Sequence, residues 1–131
     1  MAGKTLEDLE GVVWGDPEYL SSLVATCHRL RKKPVEEFTT EDLRIMIGQG
    51  IGLSFLLPRA LDLLEGDPLT AGEYFPGDLL LSVILQKPFL SSRPELLERA
   101  TGIVQTVLAT LGDEESELRR ELQQFMGRTF G

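Results

Sequence analysis

Residues 39–68 decide the fold of this chain, and their sequence is TTEDLRIMIGQGIGLSFLLPRALDLLEGDP. Either Thr39 or Thr40 can cap a helix, because a threonine hydroxyl accepts a hydrogen bond from a free backbone amide at a helix start. A second and strongly apolar helix is predicted from about Ser54 until Gly66 ends it. The stretch therefore predicts two short helices joined by a corner.

The corner between these helices contains alternating glycines at Gly48, Gly50 and Gly52. Glycine ends helices and lets two backbones approach closely, since it has no Cβ to clash in the left-handed region. A phosphate-binding loop is the alternative, but the spacing does not fit G-x-x-x-x-G-K-S/T and no lysine is nearby. We therefore predict a tight helix–helix corner, and we expect Pro58 to lie near the first turn of the second helix.

Helical periodicity continues on both sides of this stretch. Upstream, Asp16 followed by Pro17 predicts a helix start, with an acidic cap before a proline in the first position. The apolar stripe that follows has helical spacing and comprises Leu20, Leu23, Val24, Cys27 and Leu30. Downstream, residues 79–85 are apolar nearly all round, which predicts a central helix surrounded by others, with a buried strand as the alternative.

The C-terminal third also favours helices. Ser92 is predicted to cap a helix of about four turns, and a last amphipathic helix is predicted around residues 118–126. No segment alternates apolar and polar residues as a half-buried strand does. The predicted fold class is all-α, as a single compact bundle of about six to eight short helices that spans residues 1–131.

Composition limits the classes of function. The chain has 21 acidic and 13 basic side chains and a formal net charge of −8. This charge disfavours nucleic acid and favours a basic protein partner, although solubility alone is the simpler explanation. No apolar run reaches the roughly 20 residues of a membrane span, and the first residues lack the apolar run of a signal peptide. We therefore expect a cytoplasmic protein with no nucleic-acid or membrane partner.

Three features near the first long helix could carry chemistry. Cys27 and His28 are adjacent, so on a helix they point roughly 100° apart and do not face each other as a nucleophile and a base would. A basic cluster at residues 29–33 complements the negative end of the helix dipole, with phosphate contact as the alternative. Trp14 is predicted either to fill the edge of the core or to anchor a partner.

The distribution of charge gives the strongest prediction of a binding surface. Residues 60–86 contain five acidic side chains and no lysine or arginine, and an aromatic pair lies within this run. Acidic and aromatic side chains together suit a basic partner, with ordinary solvation of helix faces as the alternative. The candidate site residues are Asp62, Glu65, Asp67, Glu73, Tyr74 and Asp78. A second candidate face comprises Glu36, Glu37, Glu41 and Asp42.

No residue pattern indicates catalysis or cofactor binding. Carboxylates near helix starts are ordinary capping residues, whereas a general acid or base needs a partner group in an apolar pocket. One histidine, one cysteine and scattered acidic residues give no recognised spacing of metal ligands. We therefore expect a protein that is not an enzyme and that holds no cofactor or metal ion.

Three long stretches of sequence resemble a known family. They are LEDLEG and WGDPEY within residues 6–19, LVATCHRLRKKPVEEFTTEDLRIMIGQGIGL at residues 23–53, and LLPRALDLLEGDPLTAGEYFPGDLL at residues 56–80. In this order they resemble the all-helical immunity proteins of bacterial contact-dependent growth inhibition (CDI) systems. The resemblance covers about residues 6–85, whereas the part from Lys87 onward resembles no family that we can name.

The resemblance implies a cytoplasmic protein that binds and neutralises the toxic C-terminal domain of a large exoprotein, often a nuclease. Tyr74 and Phe75 stand in the reverse order to the FYPGDLL form of the family, which implies a different specificity if these rings contact the toxin. Because a nuclease binds phosphate and is generally basic, we expect an acidic face to occlude its active site. The alternative is a small cytoplasmic helical adaptor or regulatory protein that binds a basic protein partner.

Overall fold

The computed structural model describes residues 3–15, 21–112 and 116–127. These residues form eight α-helices and one 3₁₀ turn, and no strand occurs among them. The α-helices are α1 (Leu6–Glu10), α2 (Ser22–Arg31), α3 (Thr40–Gly48), α4 (Leu53–Gly66), α5 (Asp78–Ile84), α6 (Lys87–Ser91), α7 (Pro94–Leu111) and α8 (Glu117–Gly127). The 3₁₀ turn spans Val35–Glu37. The predicted all-α fold class is confirmed.

Side-chain caps explain where the first three helices begin. Thr5 and Thr39 each accept a hydrogen bond from the amide three residues on, and the acidic side chain there accepts one from the threonine amide in return. This reciprocal arrangement satisfies two amides that a helix start would otherwise leave unpaired. Helix α2 begins after Ser21, which caps it from extended backbone. The predicted helix start at Asp16 and Pro17 lies outside the described residues.

The predicted glycine corner between α3 and α4 is confirmed. Helix α3 ends at Gly48, and Gly50 and Gly52 have positive φ values of 73° and 66°. A Cβ on Gly52 would lie 2.8 Å from Cδ1 of Leu6, closer than real Cβ contacts come. Gly52 therefore provides both a left-handed backbone and the space that α1 needs to pack against the corner.

One apolar core connects the described helices. Helix α3 packs most extensively on α5, while α4 and α8 also contact α5 and are joined to each other through α7. Leu79, Leu80 and Val83 of α5 are fully buried, as the predicted central helix requires. Leu122 and Phe125 bring α8 into the same core. Burying a side chain of this size contributes about 1.5–3 kcal/mol.

The structure corrects three predictions about helix boundaries. Pro58 lies in the second turn of α4, not the first, because α4 begins at Leu53. Ser92 follows a separate helix, α6, that the sequence analysis did not predict, and Arg93 is the residue before α7. Helix α7 has 18 residues and is thus about one turn longer than predicted.

Two leucines that the apolar patterns placed in the core are exposed. Leu23 lies in the first turn of α2 and is 44% exposed, whereas α2 enters the core through Cys27 and Leu30. Leu85 follows the last turn of α5 and is 65% exposed. In both cases the apolar repeat runs past the part of the helix that has a packing partner.

No helix among residues 3–15, 21–112 and 116–127 is both long enough and apolar enough to cross a membrane.

Candidate protein-binding surface

The acidic run of residues 60–86 contains no lysine or arginine in sequence, but in the folded chain a basic side chain from another helix contacts it. Arg99 of α7 lies against α4, with its Nη2 2.6 Å from Oδ1 of Asp62 and 2.8 Å from Oε1 of Glu65. Its hydrogen bond lowers the pKa of Glu65, against a smaller effect of desolvation. Both carboxylates nevertheless stay accessible, since their side chains are 72% and 47% exposed.

A groove between α4 and α7 extends the acidic surface beyond the run. Its volume is about 570 Å³, and its lining includes Glu65, Glu95, Glu98 and Arg99. Glu95 and Glu98 are on α7, three residues apart and therefore on one face of that helix. The sequence analysis missed them because α7 pairs with α4 only in the folded chain.

Asp78 is buried, unlike the other candidate site residues on the α4–α5 connection. Its side chain is 3% exposed and accepts hydrogen bonds from the amides of Gly72 at 2.7 Å, Tyr74 at 3.0 Å and Phe75 at 3.4 Å. A carboxylate that collects several amides fixes the conformation of a loop. Asp78 therefore shapes residues 72–75, and the structure does not place it on the surface.

Glu41 and Arg44 of α3 hold the same loop from the other side. Arg44 donates to Glu41 through Nε at 2.7 Å and Nη2 at 2.5 Å, and this pairing lowers the pKa of Glu41. Glu41 also accepts a hydrogen bond from the amide of Glu73 at 2.9 Å. A Cβ on Gly72 would collide with Oε1 of Glu41, so any larger residue there would have to displace the Glu41 carboxylate from its contacts.

The loop presents two aromatic side chains to solvent. Tyr74 is 71% exposed and Phe75 is 45% exposed. The guanidinium carbon of Arg44 lies 4.2 Å from the centroid of the Tyr74 ring, a cation–π distance. Asp67, at the start of the α4–α5 connection, and Glu73, which precedes Tyr74, are exposed as well. The structure thus brings exposed acidic and aromatic side chains together on one loop.

The second candidate face divides into exposed and engaged carboxylates. Glu36 and Glu37 are exposed. Asp42 is buried, and burial raises its pKa, but hydrogen bonds from Nζ of Lys33 at 2.7 Å and from the Thr39 amide outweigh that effect and leave the pKa below its usual value. Asp42 therefore has a role in capping α3 and in tying it to the segment that follows α2.

The basic cluster at the C-terminal end of α2, residues 29–33, makes structural contacts that the dipole interpretation did not anticipate. Arg31 is 2% exposed, pairs with Glu10 and donates through Nη2 to the carbonyl of Val12 at 2.5 Å. Trp14 packs against the edge of the core, as one of its two predicted alternatives proposes, with the Arg31 guanidinium carbon 4.5 Å from its ring centroid. The cluster thus fixes residues 10–14 to the end of α2.

The side chains considered for chemistry are in structural positions. Cys27 is buried in the core, and burial raises the pKa of its thiol, which makes the reactive thiolate less available. Within the described residues, no group of three or more histidine, cysteine, aspartate or glutamate side chains is placed to hold a metal ion.

These features define an all-helical protein with an exposed acidic and aromatic surface suited to contact with another protein. The chain belongs to the CDI immunity proteins, the family whose sequence model matches residues 8–100. The predicted resemblance is thereby confirmed, and membership implies a protein that neutralises a toxin. The match ends within α7, so α8 lies beyond it. A comparison with curated proteins gives no match.

Proposed function

We propose that this protein acts in the cytoplasm by binding the toxic C-terminal domain of a cognate CDI exoprotein, and that it does so without catalysing a reaction. The toxin domain is a nuclease with a basic cleft, and the bound protein occludes that cleft. The observation that carries this proposal is the family match over residues 8–100. The exposed carboxylates of α4, α7 and the α4–α5 connection support the choice of a basic partner.

The surface that we propose for toxin binding is the acidic face around α4 and its C-terminal loop. Asp62, Glu65, Asp67 and Glu73 supply the exposed charge, and Tyr74 adds an aromatic anchor. Asp78 contributes through the shape of the loop, since it is buried. In the proposed complex these carboxylates take the places of nucleic-acid phosphates in the cleft of the toxin.

Internal pairing of basic groups supports this electrostatic proposal. Within the part of the chain that the structure describes, five basic side chains form ion pairs with carboxylates, namely Arg31, Lys32, Lys33, Arg44 and Arg99. Paired charges largely cancel at distances beyond the Debye length, about 8 Å at physiological salt. Arg99 pairs with both Asp62 and Glu65, so two carboxylates face one guanidinium and the group stays acidic. Together with the formal net charge of −8, this acidic field raises the association rate of a basic partner.

Co-expression tests the function directly. The cognate toxin domain is expressed in cells with and without the protein, and growth is measured. We expect growth to be restored by the protein and not by an unrelated acidic helical protein. If cells die equally fast with and without it, the immunity function is wrong, and the helical adaptor becomes the better hypothesis.

Charge reversal tests the proposed face against the alternative one. We expect Asp62→Lys combined with Glu65→Lys to lower the association rate with the purified toxin domain at least about tenfold at low salt, and less at high salt. The matched control is Glu36→Lys combined with Glu37→Lys, which changes the net charge equally on the second face. If only the control pair slows association, the second face binds the toxin.

A further inference from the structure

We propose that residues 71–77 form a pre-ordered recognition loop, in which the Tyr74 and Phe75 rings make the direct contact and Asp78 and Glu41 act as positioning residues. The inference depends on the proposed function, since the toxin domain is the partner that the loop recognises. It assigns the main share of the binding energy to two aromatic side chains instead of spreading it over the acidic face.

Exposure of the two rings is the first observation behind this proposal. Tyr74 and Phe75 are adjacent in sequence and are 71% and 45% exposed, although most large apolar side chains of the described residues lie in or against the core. Tryptophan, tyrosine and arginine are enriched among the side chains that dominate binding energies at protein interfaces, and phenylalanine is enriched in interface cores. Two such rings side by side on one loop favour direct contact with a partner.

The loop is also held in one shape before any partner arrives. The Asp78 carboxylate accepts hydrogen bonds from the amides of Gly72, Tyr74 and Phe75. The amide between the first two, that of Glu73, donates to Glu41. At its end, Gly77 has φ of 96°, which a residue with a Cβ rarely adopts. Because the loop loses its conformational entropy when the protein folds, less conformational entropy remains to be lost when it binds a partner.

The chemistry around the rings indicates what the loop accepts. Arg44 lies 4.2 Å from the Tyr74 ring centroid, so this ring already interacts with one guanidinium, and its exposed part is available to another. Glu73 is exposed beside it and adds an unlike charge for an incoming cation. We infer that the toxin presents an arginine or lysine whose aliphatic stem lies on the rings and whose charged group faces Glu73.

Alanine variants of the rings test the direct contact. Tyr74→Ala and Phe75→Ala should each weaken binding to the purified toxin domain by about 30-fold or more, which is the loss expected of a dominant interface residue. The matched control is Leu85→Ala. Leu85 is also a large apolar side chain, 65% exposed, but it follows the C-terminal end of α5, whereas the loop precedes the N-terminal end of that helix. The control should change the dissociation constant less than about threefold.

A second pair of variants tests the positioning role. Gly72→Ala places a Cβ against the Glu41 carboxylate and should displace the loop, whereas Gly66→Ala meets no atom within 4 Å and serves as its control. We expect Gly72→Ala to weaken toxin binding and to accelerate hydrogen exchange of the Tyr74 and Phe75 amides in the free protein, with the exchange of α5 amides unchanged. Asp78→Asn should act in the same direction.

Adding Gly72→Ala to the variant that lacks both rings separates positioning from a general loss of structure. If Gly72 acts through the rings, its substitution should cost little further affinity once Tyr74 and Phe75 are both alanine. An additive loss would contradict the positioning role. If the wild-type protein fails to bind the toxin domain at all, the proposed function itself is wrong. If the wild type binds and both ring variants bind equally well, only the recognition loop is wrong.

Discussion

Replacing Gly52 by alanine gives the sharpest test of the glycine corner. Two costs combine at this position. The positive φ of 66° is a left-handed conformation that costs a residue with a Cβ about 1–2 kcal/mol. The new Cβ would also lie 2.8 Å and 2.9 Å from the two Cδ atoms of Leu6, and crowding in a packed core typically costs about 1–3 kcal/mol. We therefore expect Gly52→Ala to lower the free energy of unfolding by about 2–5 kcal/mol.

Two further glycines separate these costs. Gly50 also has a positive φ, 73°, but its nearest neighbour is Oε1 of Gln86 at 3.8 Å, so Gly50→Ala should carry the backbone cost alone, about 1–2 kcal/mol. Gly66 closes α4 without a positive φ and with open space around it. Gly66→Ala should be neutral or stabilise by about 0.4–1 kcal/mol, because it reduces the entropy of the unfolded chain.

Urea unfolding of the three variants provides the measurement. With an m value of roughly 2 kcal/mol/M, the Gly52 variant should unfold at a urea concentration about 1–2.5 M below that of the wild type, with m unchanged. From the highest urea midpoint to the lowest, the order should be Gly66→Ala, wild type, Gly50→Ala and Gly52→Ala. The first two midpoints are equal if Gly66→Ala is neutral. Equal midpoints for the Gly50 and Gly52 variants would show that contact with Leu6 adds nothing, and the close-approach argument would fail.

Three other predictions concern charge and the C-terminal helix. Arg31→Met should destabilise by about 2–3 kcal/mol, since it removes the hydrogen bonds of a buried guanidinium to Glu10 and to the carbonyl of Val12, whereas the exposed Arg29→Met should stay within about 0.5 kcal/mol in the same urea assay. The hydrogen bond from Arg44 lowers the pKa of Glu41. The ionised carboxylate therefore stabilises the fold at pH values above 4.5, its ordinary pKa, and this stabilisation is lost as the pH falls through the lower pKa of the folded state. The difference in unfolding free energy between wild type and Glu41→Gln should therefore be present at neutral pH and vanish in acid, and an unchanged difference would contradict the pairing. Leu122→Ala should cost about 2–5 kcal/mol by calorimetry, and a negligible effect would show that α8 is dispensable for the core.

The helices and their starts could be predicted because the relevant signals are local. The threonine cap of α3, the alternating glycines and the apolar repeat of α5 act over a few residues, and the structure places them as expected. Predictions failed where an apolar repeat continued past its packing partner, as at Leu23 and Leu85. Burial is a property of the assembled helices, and one helix considered alone does not determine it.

The candidate surface could be predicted only in outline for the same reason. A run without lysine or arginine is a property of the sequence, but Arg99 reaches Asp62 across 37 positions, and Glu98 joins the surface from the same helix. The burial of Asp78 also escaped the sequence analysis, although aspartate beside glycine and proline often binds nearby amides. Charge was predictable from the sequence, whereas its pairing depends on which helices are neighbours.

The contacts of α1 have a consequence for the order of folding. A five-residue helix does not persist by itself in water, so α1 depends on Leu6 against the glycine corner and on ion pairs from Glu7 and Glu10 to the end of α2. These contacts close loops of more than 20 residues and need α2 and the corner to be formed first. We therefore expect residues 3–15 to dock late and to open early, as a local unfolding unit of lower stability than the helices around α5.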